Sequence, residues 1–240
     1  MDESIYKYLY ETHCHTSWCS ACGVSTPQEM AQAYYSHGYA GMIITDHFLL
    51  GNSAVDKNLP WREKMQAYHD AYLAAKNWAI DKDFDVLFGI EHHYGNGKEV
   101  LTYGVGLDFL AATPDIHLLP LSQYAALVHE AGGFISMAHP FRDLGYINME
   151  VGPQPEYLDG VEVYNFHNYP QENQKAWDLA REHGLPGTSG GDVHICTDAG
   201  IGSAGVAFRR RVHTSEELVA ELRGGDYMVR QGDLLAPAKC

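Results

Sequence analysis

The sequence predicts an α/β protein of barrel type. Three observations lead there. Short apolar runs alternate with amphipathic stretches from end to end, the pattern of strand–helix–strand units around a parallel sheet. No repeat, low-complexity segment or linker divides the chain, and 240 residues suit one α/β barrel domain spanning 1–240. Five of the apolar runs are followed at once by His, Asp or Glu. An open doubly wound sheet fits the alternation equally well. The third observation favours the barrel, because a parallel barrel gathers all its strand C-terminal ends on one face, where active sites form.

In chain order, strands are expected at Tyr6–Glu11, Gly41–Thr45, Asp85–Ile90, Val100–Gly106, Gly133–Ala138, Gly160–Tyr164, Leu185–Ser189 and Gly205–Phe208, with a short last strand at Tyr227–Arg230. Helices are expected at Pro27–Ser36, Pro60–Ile80, Leu121–Glu130, Gln171–Glu182 and Ser215–Leu222. Thr26-Pro27 followed by Glu29 supplies an N-cap and a proline at the first helical position. Thr214 followed by Ser215, Glu216 and Glu217 places a cap and acids at another helix start. His37-Gly38, Ala131-Gly132 and His183-Gly184 read as C-terminal stops.

Composition bounds the function. With 31 acidic against 16 basic residues the formal charge is −15. Such a field repels the backbone of long nucleic acids, which are not expected as partners. A small phosphorylated substrate stays compatible, since bound divalent metals reverse the local sign. The five cysteines form no disulfide framework: Cys14, Cys19 and Cys22 cluster, while Cys196 and Cys240 are scattered. The N-terminus has no apolar signal-type core, and no run approaches the ~18 apolar residues of a membrane span. A cytoplasmic protein with reduced thiols and no membrane partner is expected. Oligomeric state is not legible.

The chemistry sits at the strand ends. His13-Cys14-His15, Asp46-His47, Glu91-His92-His93, His139-Pro140 and Asp192-Val193-His194 each close an apolar run. Residues i and i+2 of a strand share a face, so His13 with His15, Glu91 with His93, and Asp192 with His194 can point together. Imidazole with carboxylate suits Zn²⁺, Mn²⁺ or Fe, and a carboxylate such as Glu91 can bridge two metals. One His-x-His could be a surface pair; several ligand groups at successive strand ends are hard to reach by accident. His37, His69, His117, His129, His183 and His213 fall at helix ends, beside helices or in loops, and are expected to be structural.

His13-Cys14-His15-Thr16, Ile43-Ile44-Thr45-Asp46-His47, Gly89-Ile90-Glu91, Ala138-His139-Pro140 and Gly191-Asp192-Val193-His194, in that order, resemble the PHP (polymerase and histidinol phosphatase) family. The resemblance implies a distorted seven-stranded (β/α)7 TIM-like barrel, two or three divalent metals (Zn, Mn or Fe) and phosphoester hydrolysis. It implies His13, His15, Glu91 and Asp192 as ligands of one metal, Glu91 bridging to a second that takes His139, and His47 with His194 on a third. Two places depart from the family's pattern. Cys22 before Gly23 stands where members often have Asp or His, and could be a soft zinc ligand. Glu99 stands where a His is often found, and would favour Mn²⁺ or Fe²⁺ over Zn²⁺.

The expected reaction is in-line attack on phosphorus by a metal-bound hydroxide. Arg142, after His139-Pro140-Phe141, offers a planar fork for phosphate. His93 is expected to touch substrate or supply a proton, and Asp46 to orient a ligand histidine. Glu162, Asn165 and His167 could line the pocket. The connections 48–59 and 143–157 are expected to cover it. Rival readings are an amidohydrolase-type C–N hydrolase, a non-catalytic metal-binding module, and a zinc ribbon on Cys19-x-x-Cys22. The first commonly uses a strand-end lysine, and none of the eight lysines stands in such a place.

Overall fold

The computed structural model describes residues 3–239; Cys240 lies outside the described residues. The strands are β1 (Tyr8–Cys14), β2 (Gly41–Ile44), β3 (His47–Phe48), β4 (Asp85–Gly95), β5 (Lys98–Tyr103), β6 (Phe134–Met137), β7 (Gly160–Asn165), β8 (Gly187–Gly190), β9 (Ala204–Phe208), β10 (Met228–Gln231) and β11 (Leu234–Pro237). The helices are α1 (Pro27–Ser36), α2 (Trp61–Trp78), α3 (Leu107–Ala112), α4 (Leu121–Glu130), α5 (Pro170–His183) and α6 (Ser215–Gly224). All strands join one sheet in the order β11-β10-β9-β1-β2-β4-β5-β6-β7-β8, with β3 paired to β4.

The sheet is mixed, which corrects the expectation of parallel pairing throughout. β1–β2, β2–β4, β6–β7 and β7–β8 are parallel. β5 runs antiparallel between β4 and β6, and β9–β11 are antiparallel additions beside β1. The cause is local. β4 and β5 are joined by a tight turn with Asn96 and Gly97 both at positive φ, so the chain returns as a hairpin instead of crossing over through a helix.

The sheet curls until its far edge meets β1. The segment after β8 completes the turn: Asp192 N–H donates to His13 O at 2.8 Å, and His15 N–H donates to Val193 O at 2.9 Å. That contact brings the ends of β1 and β8 onto the same rim. β1, β2 and β4 are buried on both faces, with Tyr10, Ile43 and Leu87 in one apolar cluster and Leu9, Met42 and Val86 in another beneath α1 and α2. The cap expectations hold: Thr26 and Glu29 form a reciprocal capping box, and Thr214 accepts from Glu217 N. Among the described residues no helix is long and apolar enough to cross a membrane.

Candidate metal centre

The strand-end side chains converge on one rim. β1 carries His13 and leads into His15; a register shift between Glu11 and Cys14 re-aims the strand there. The displaced backbone is held by Glu11, buried and missed by sequence reasoning, whose carboxylate accepts from the N–H groups of Thr12, His13 and Gly191 at 2.8–2.9 Å. Burial pushes the Glu11 carboxyl up to about 7. Glu91 lies within β4 and Glu99 on β5 opposite His93, while His139 and Asp192 follow β6 and β8 at positive φ, 27° and 54°. Such backbone strain in non-glycine residues persists only where surrounding structure holds it, and concentrates at functional sites.

His13 Nε2 lies 3.1 Å from His15 Nε2, 3.1 Å from Glu91 Oε1 and 3.5 Å from Asp192 Oδ1. His15 Nε2 lies 3.1 Å from Asp192 Oδ1. His139 Nε2 is 3.0 Å from Glu91 Oε1 and 3.6 Å from Glu99 Oε2. His47 Nδ1 is 2.6 Å from Glu91 Oε2 and 3.6 Å from Glu99 Oε1. His194 joins through stacking on His15, ring centroids 4.3 Å apart. Four overlapping groups of donor atoms result: His13–His15–Asp192, His13–Glu91–His139, His47–Glu91–Glu99 and His15–His47–His194. All eight residues expected as ligands are therefore brought together. The six histidines expected to be structural lie outside these groups; His129 and His213 pair with Asp159 and Asp85 instead.

The outer partners fix the tautomers. Ser20 donates to Asp46 Oδ1 at 2.7 Å, so its oxygen accepts from His15 Nδ1–H at 3.1 Å. Glu162 Oε1 accepts from His13 Nδ1–H at 2.9 Å. His194 Nδ1–H donates to Asp192 O at 2.9 Å. Each arrangement engages Nδ1 and points Nε2 inward, the orientation metal-binding imidazoles require. Asp46 thus does orient a histidine, but through Ser20. Glu162 and Asn165 are buried, and they grip the centre from behind instead of lining the cavity. His167 pairs with Asp198 at 3.3 Å, away from the centre.

These contacts test whether cations fit. Burial pulls His15 down to about 3, further lowered by His47, so its Nε2 carries no proton at neutral pH. A neutral lone pair facing a carboxylate oxygen at 3.1 Å is two acceptors in contact, which a cation between or beside them resolves. His47 Nδ1 and Glu91 Oε2, although close, are both buried without hydrogen-bond geometry. Burial disfavours charge on His13, but Asp192, Glu162 and Glu91 outweigh it and hold its pKa well above the usual value. Glu91 and Asp192 stay well below the usual carboxylate range: burial opposes this, and His13 prevails, with His47 at Glu91 and Arg142 at Asp192. The donor set fits divalent metals.

A cavity of about 470 Å³ opens over the cluster, lined in part by Cys22, His93, Glu99, Arg142 and His194. Arg142 Nη1 pairs with Asp192 Oδ2 at 2.7 Å, while Nε and Nη2 donate to Asn168 and Asn165, both at 2.9 Å. His93 Nε2 accepts from Gly97 N–H at 3.2 Å, leaving Nδ1 as an unpartnered donor. Burial pushes the Cys22 thiol up, but His194 and His47 beside it bring it down to about 6. Among the described residues the cysteines are free, and Cys19, buried with its thiol on Ala67 O, is not paired with Cys22 in a zinc ribbon.

The PHP-associated family model (PHP_C) matches residues 170–227, α5 through α6. A two-domain protein from Bacteroides vulgatus containing a predicted PHP-like metal-dependent phosphoesterase shares the fold at a TM-score of 0.71 and 14% identity, over 95% of this chain and 66% of that one. The chain thus carries a segment that matches a PHP-associated model within a fold similar to that protein's. It spans under two thirds of that Bacteroides protein's length. The lesion-specific endonuclease PfuEndoQ from Pyrococcus furiosus is similar to this chain at a TM-score of 0.63 and 14% identity, over 92% of this chain and 57% of the endonuclease. An amidohydrolase from Chromobacterium violaceum is similar at a TM-score of 0.50 and 16% identity, over 77% of this chain and 87% of that one. At these identities each likeness speaks to the fold. No curated protein matches the sequence.

Proposed function

We propose that the chain is a metal-dependent phosphoesterase acting on a small phosphate ester. The supporting observation is the facing of a neutral acceptor, His15 Nε2, against Asp192 Oδ1 within four overlapping groups of donor atoms, under a cavity that also holds an arginine. His13, His15 and Asp192, with Glu91 alongside, would hold one ion. Glu91, Glu99 and His139 would hold a second. His47 and His194, with His15 and the Cys22 thiol near, would hold a third in a three-metal form. Zinc, manganese or iron suits this mixture of imidazole and carboxylate. When bound, such ions activate water and neutralise charge on a phosphoryl group.

The chain's own groups do the rest. Arg142 is held as a planar fork by Asn165 and Asn168 and presents positive charge at the cavity wall beside Asp192, where phosphoryl oxygens would sit. His93, its Nε2 engaged by Gly97, forms part of the cavity wall. Glu162 and Ser20 keep His13 and His15 in the tautomers that bind. The net charge of −15 favours a small ester over a long polymer.

The C–N hydrolase reading has the fold of the Chromobacterium protein behind it, but the one lysine buried among the described residues, Lys98, donates to Pro140 O at 3.3 Å, outside the ligand groups. The test is metal content by mass spectrometry on protein purified without chelator, with hydrolysis of phosphomonoesters, phosphodiesters and N-acyl substrates under Mn²⁺, Zn²⁺ or Fe²⁺. Two or three metals per chain, with ester hydrolysis lost in His13→Ala and Asp192→Ala, is the expected result. Hydrolysis of N-acyl substrates alone, or less than one metal per chain after reconstitution, would overturn it.

A further inference from the structure

The cavity walls differ in character from its floor. Two large apolar side chains stand exposed at its mouth, Leu50 at 46% and Tyr146 at 64%, directly above a cluster of charged and imidazole groups. Exposed apolar side chains in isolation need no explanation; a pair lining one cavity does.

Both sit on pinned backbone. The turn bearing Leu50 is tied by Gly51 N–H to Phe48 O at 2.7 Å, and Ala21 N–H donates to Asn52 O at 2.7 Å. Tyr146 is tied through the residues after it: Ile147 is buried, and Asn148 N–H donates to Asn96 O at 2.9 Å at the tip of the β4–β5 hairpin. Gly97 lets that tip approach, since a Cβ there would lie 2.7 Å from Tyr146 O. A tethered tyrosine loses little freedom on meeting a ligand, which is how a preformed aromatic contact gains affinity. Gly51 and Asn52 line the cavity next to Leu50 in the chain. Between Leu50 and Tyr146 a flat ring would meet an apolar surface and an aromatic one. The volume of about 470 Å³ lies within the usual range of ~300–1,000 Å³ for small-ligand sites.

We infer that the ester carries an aromatic or heteroaromatic group, gripped between Leu50 and Tyr146 with its phosphoryl end toward Arg142. This rests on the phosphoesterase reading for the reaction, but the grip itself is testable without turnover. Phenylphosphonate and methylphosphonate are compared by isothermal titration calorimetry on the metal-loaded protein, with phenyl phosphate hydrolysis followed in the same preparation. Wild type should bind phenylphosphonate about tenfold more tightly or better, the yield of one well-packed ring contact. The ratio should fall toward one in Tyr146→Ala and in Leu50→Ala, and Tyr146→Phe should restore most of it. Equal affinities in wild type, no binding of either phosphonate, or a ratio untouched in both alanine variants would overturn the inference. A retained binding preference with no ester hydrolysis would leave the grip standing and remove the phosphoesterase reading instead.

Discussion

Glu162→Gln would test the centre from behind without touching a residue that faces the cavity. The Glu162 carboxylate accepts from His13 Nδ1 at 2.9 Å, His139 N at 2.9 Å and Asn165 Nδ2 at 3.0 Å, all fully enclosed. Glutamine keeps the shape but has only one oxygen. If that oxygen serves His13, the amide NH₂ faces two donors; if it serves His139 and Asn165, the NH₂ faces His13 Nδ1 and favours the tautomer with Nε2–H, which cannot bind a metal. Either way one buried donor pair is misfit, at a cost of about 1–3 kcal/mol. Loss of such an outer partner lowers metal affinity about 10–100-fold, or ~1.4–2.7 kcal/mol. Chelator competition with Zn²⁺ or Mn²⁺ would read the affinity, and thermal unfolding of the metal-free form would read the packing cost separately. Weakened metal binding at the site containing His13, with a folded metal-free protein, is expected. Affinity within about twofold of wild type at every site would refute the argument that Glu162 sets the His13 tautomer.

Four further outcomes follow from the same geometry. A Cβ at Gly190 would lie 2.3 Å from His13 Cβ and 2.7 Å from Glu162 Oε1, so Gly190→Ala should cost about 1–3 kcal/mol in chemical denaturation and weaken metal binding, and an unchanged midpoint would contradict the packing. Arg142→Ala should raise KM or lower kcat for phosphoesters while metal content holds; an unchanged kcat/KM removes it from phosphate binding. His92 is buried against Tyr124, ring centroids 4.1 Å apart, and burial pulls it down to about 3. The unfolded chain takes up that proton near pH 6.5 and the folded one does not. The resulting stability is whole above that pH and is lost progressively as pH falls from about 6.5 toward 3, so His92→Phe should flatten the acid limb of a stability–pH profile, and an identical limb would disprove this source. Cys22→Ser should remove the sulfur-to-metal charge-transfer absorption of a cobalt-substituted protein; if wild type shows none, the thiol is not a ligand.

How far the sequence reached can be argued from single residues. The candidate ligands other than Glu99 were legible because their side chains follow apolar runs, and period-two spacing placed His13 with His15. Helix bounds were legible where caps are local chemistry, as at Thr26 with Glu29 and Thr214 with Glu217. The reversal of β5 was not, although Gly95-Asn96-Gly97 between two apolar runs is a hairpin signal that strand–helix alternation overrode. Ser20 and Glu11 were missed for a different reason. Each works by completing the hydrogen bonds of a neighbour brought close by the fold, and nothing in the local sequence distinguishes such a serine or glutamate from one facing solvent.

The eight candidate ligand residues and their outer partners differ in the same way. A ligand histidine must stand at a strand end, which the chain's own periodicity reveals. A partner such as Glu162 need only end within 3 Å of Nδ1, and any element that passes behind the rim can supply it. That it comes from β7, through the one buried acid in Gly160–Asn165, follows from the parallel pairings of β7 with β6 and β8. They set Glu162 between the strand leading to His139 and the strand leading to Asp192, so the tautomer of a β1 histidine depends on the closure of the sheet. A substitution that opens the contact between the chain after β8 and the end of β1 should therefore release metal before it unfolds the helices.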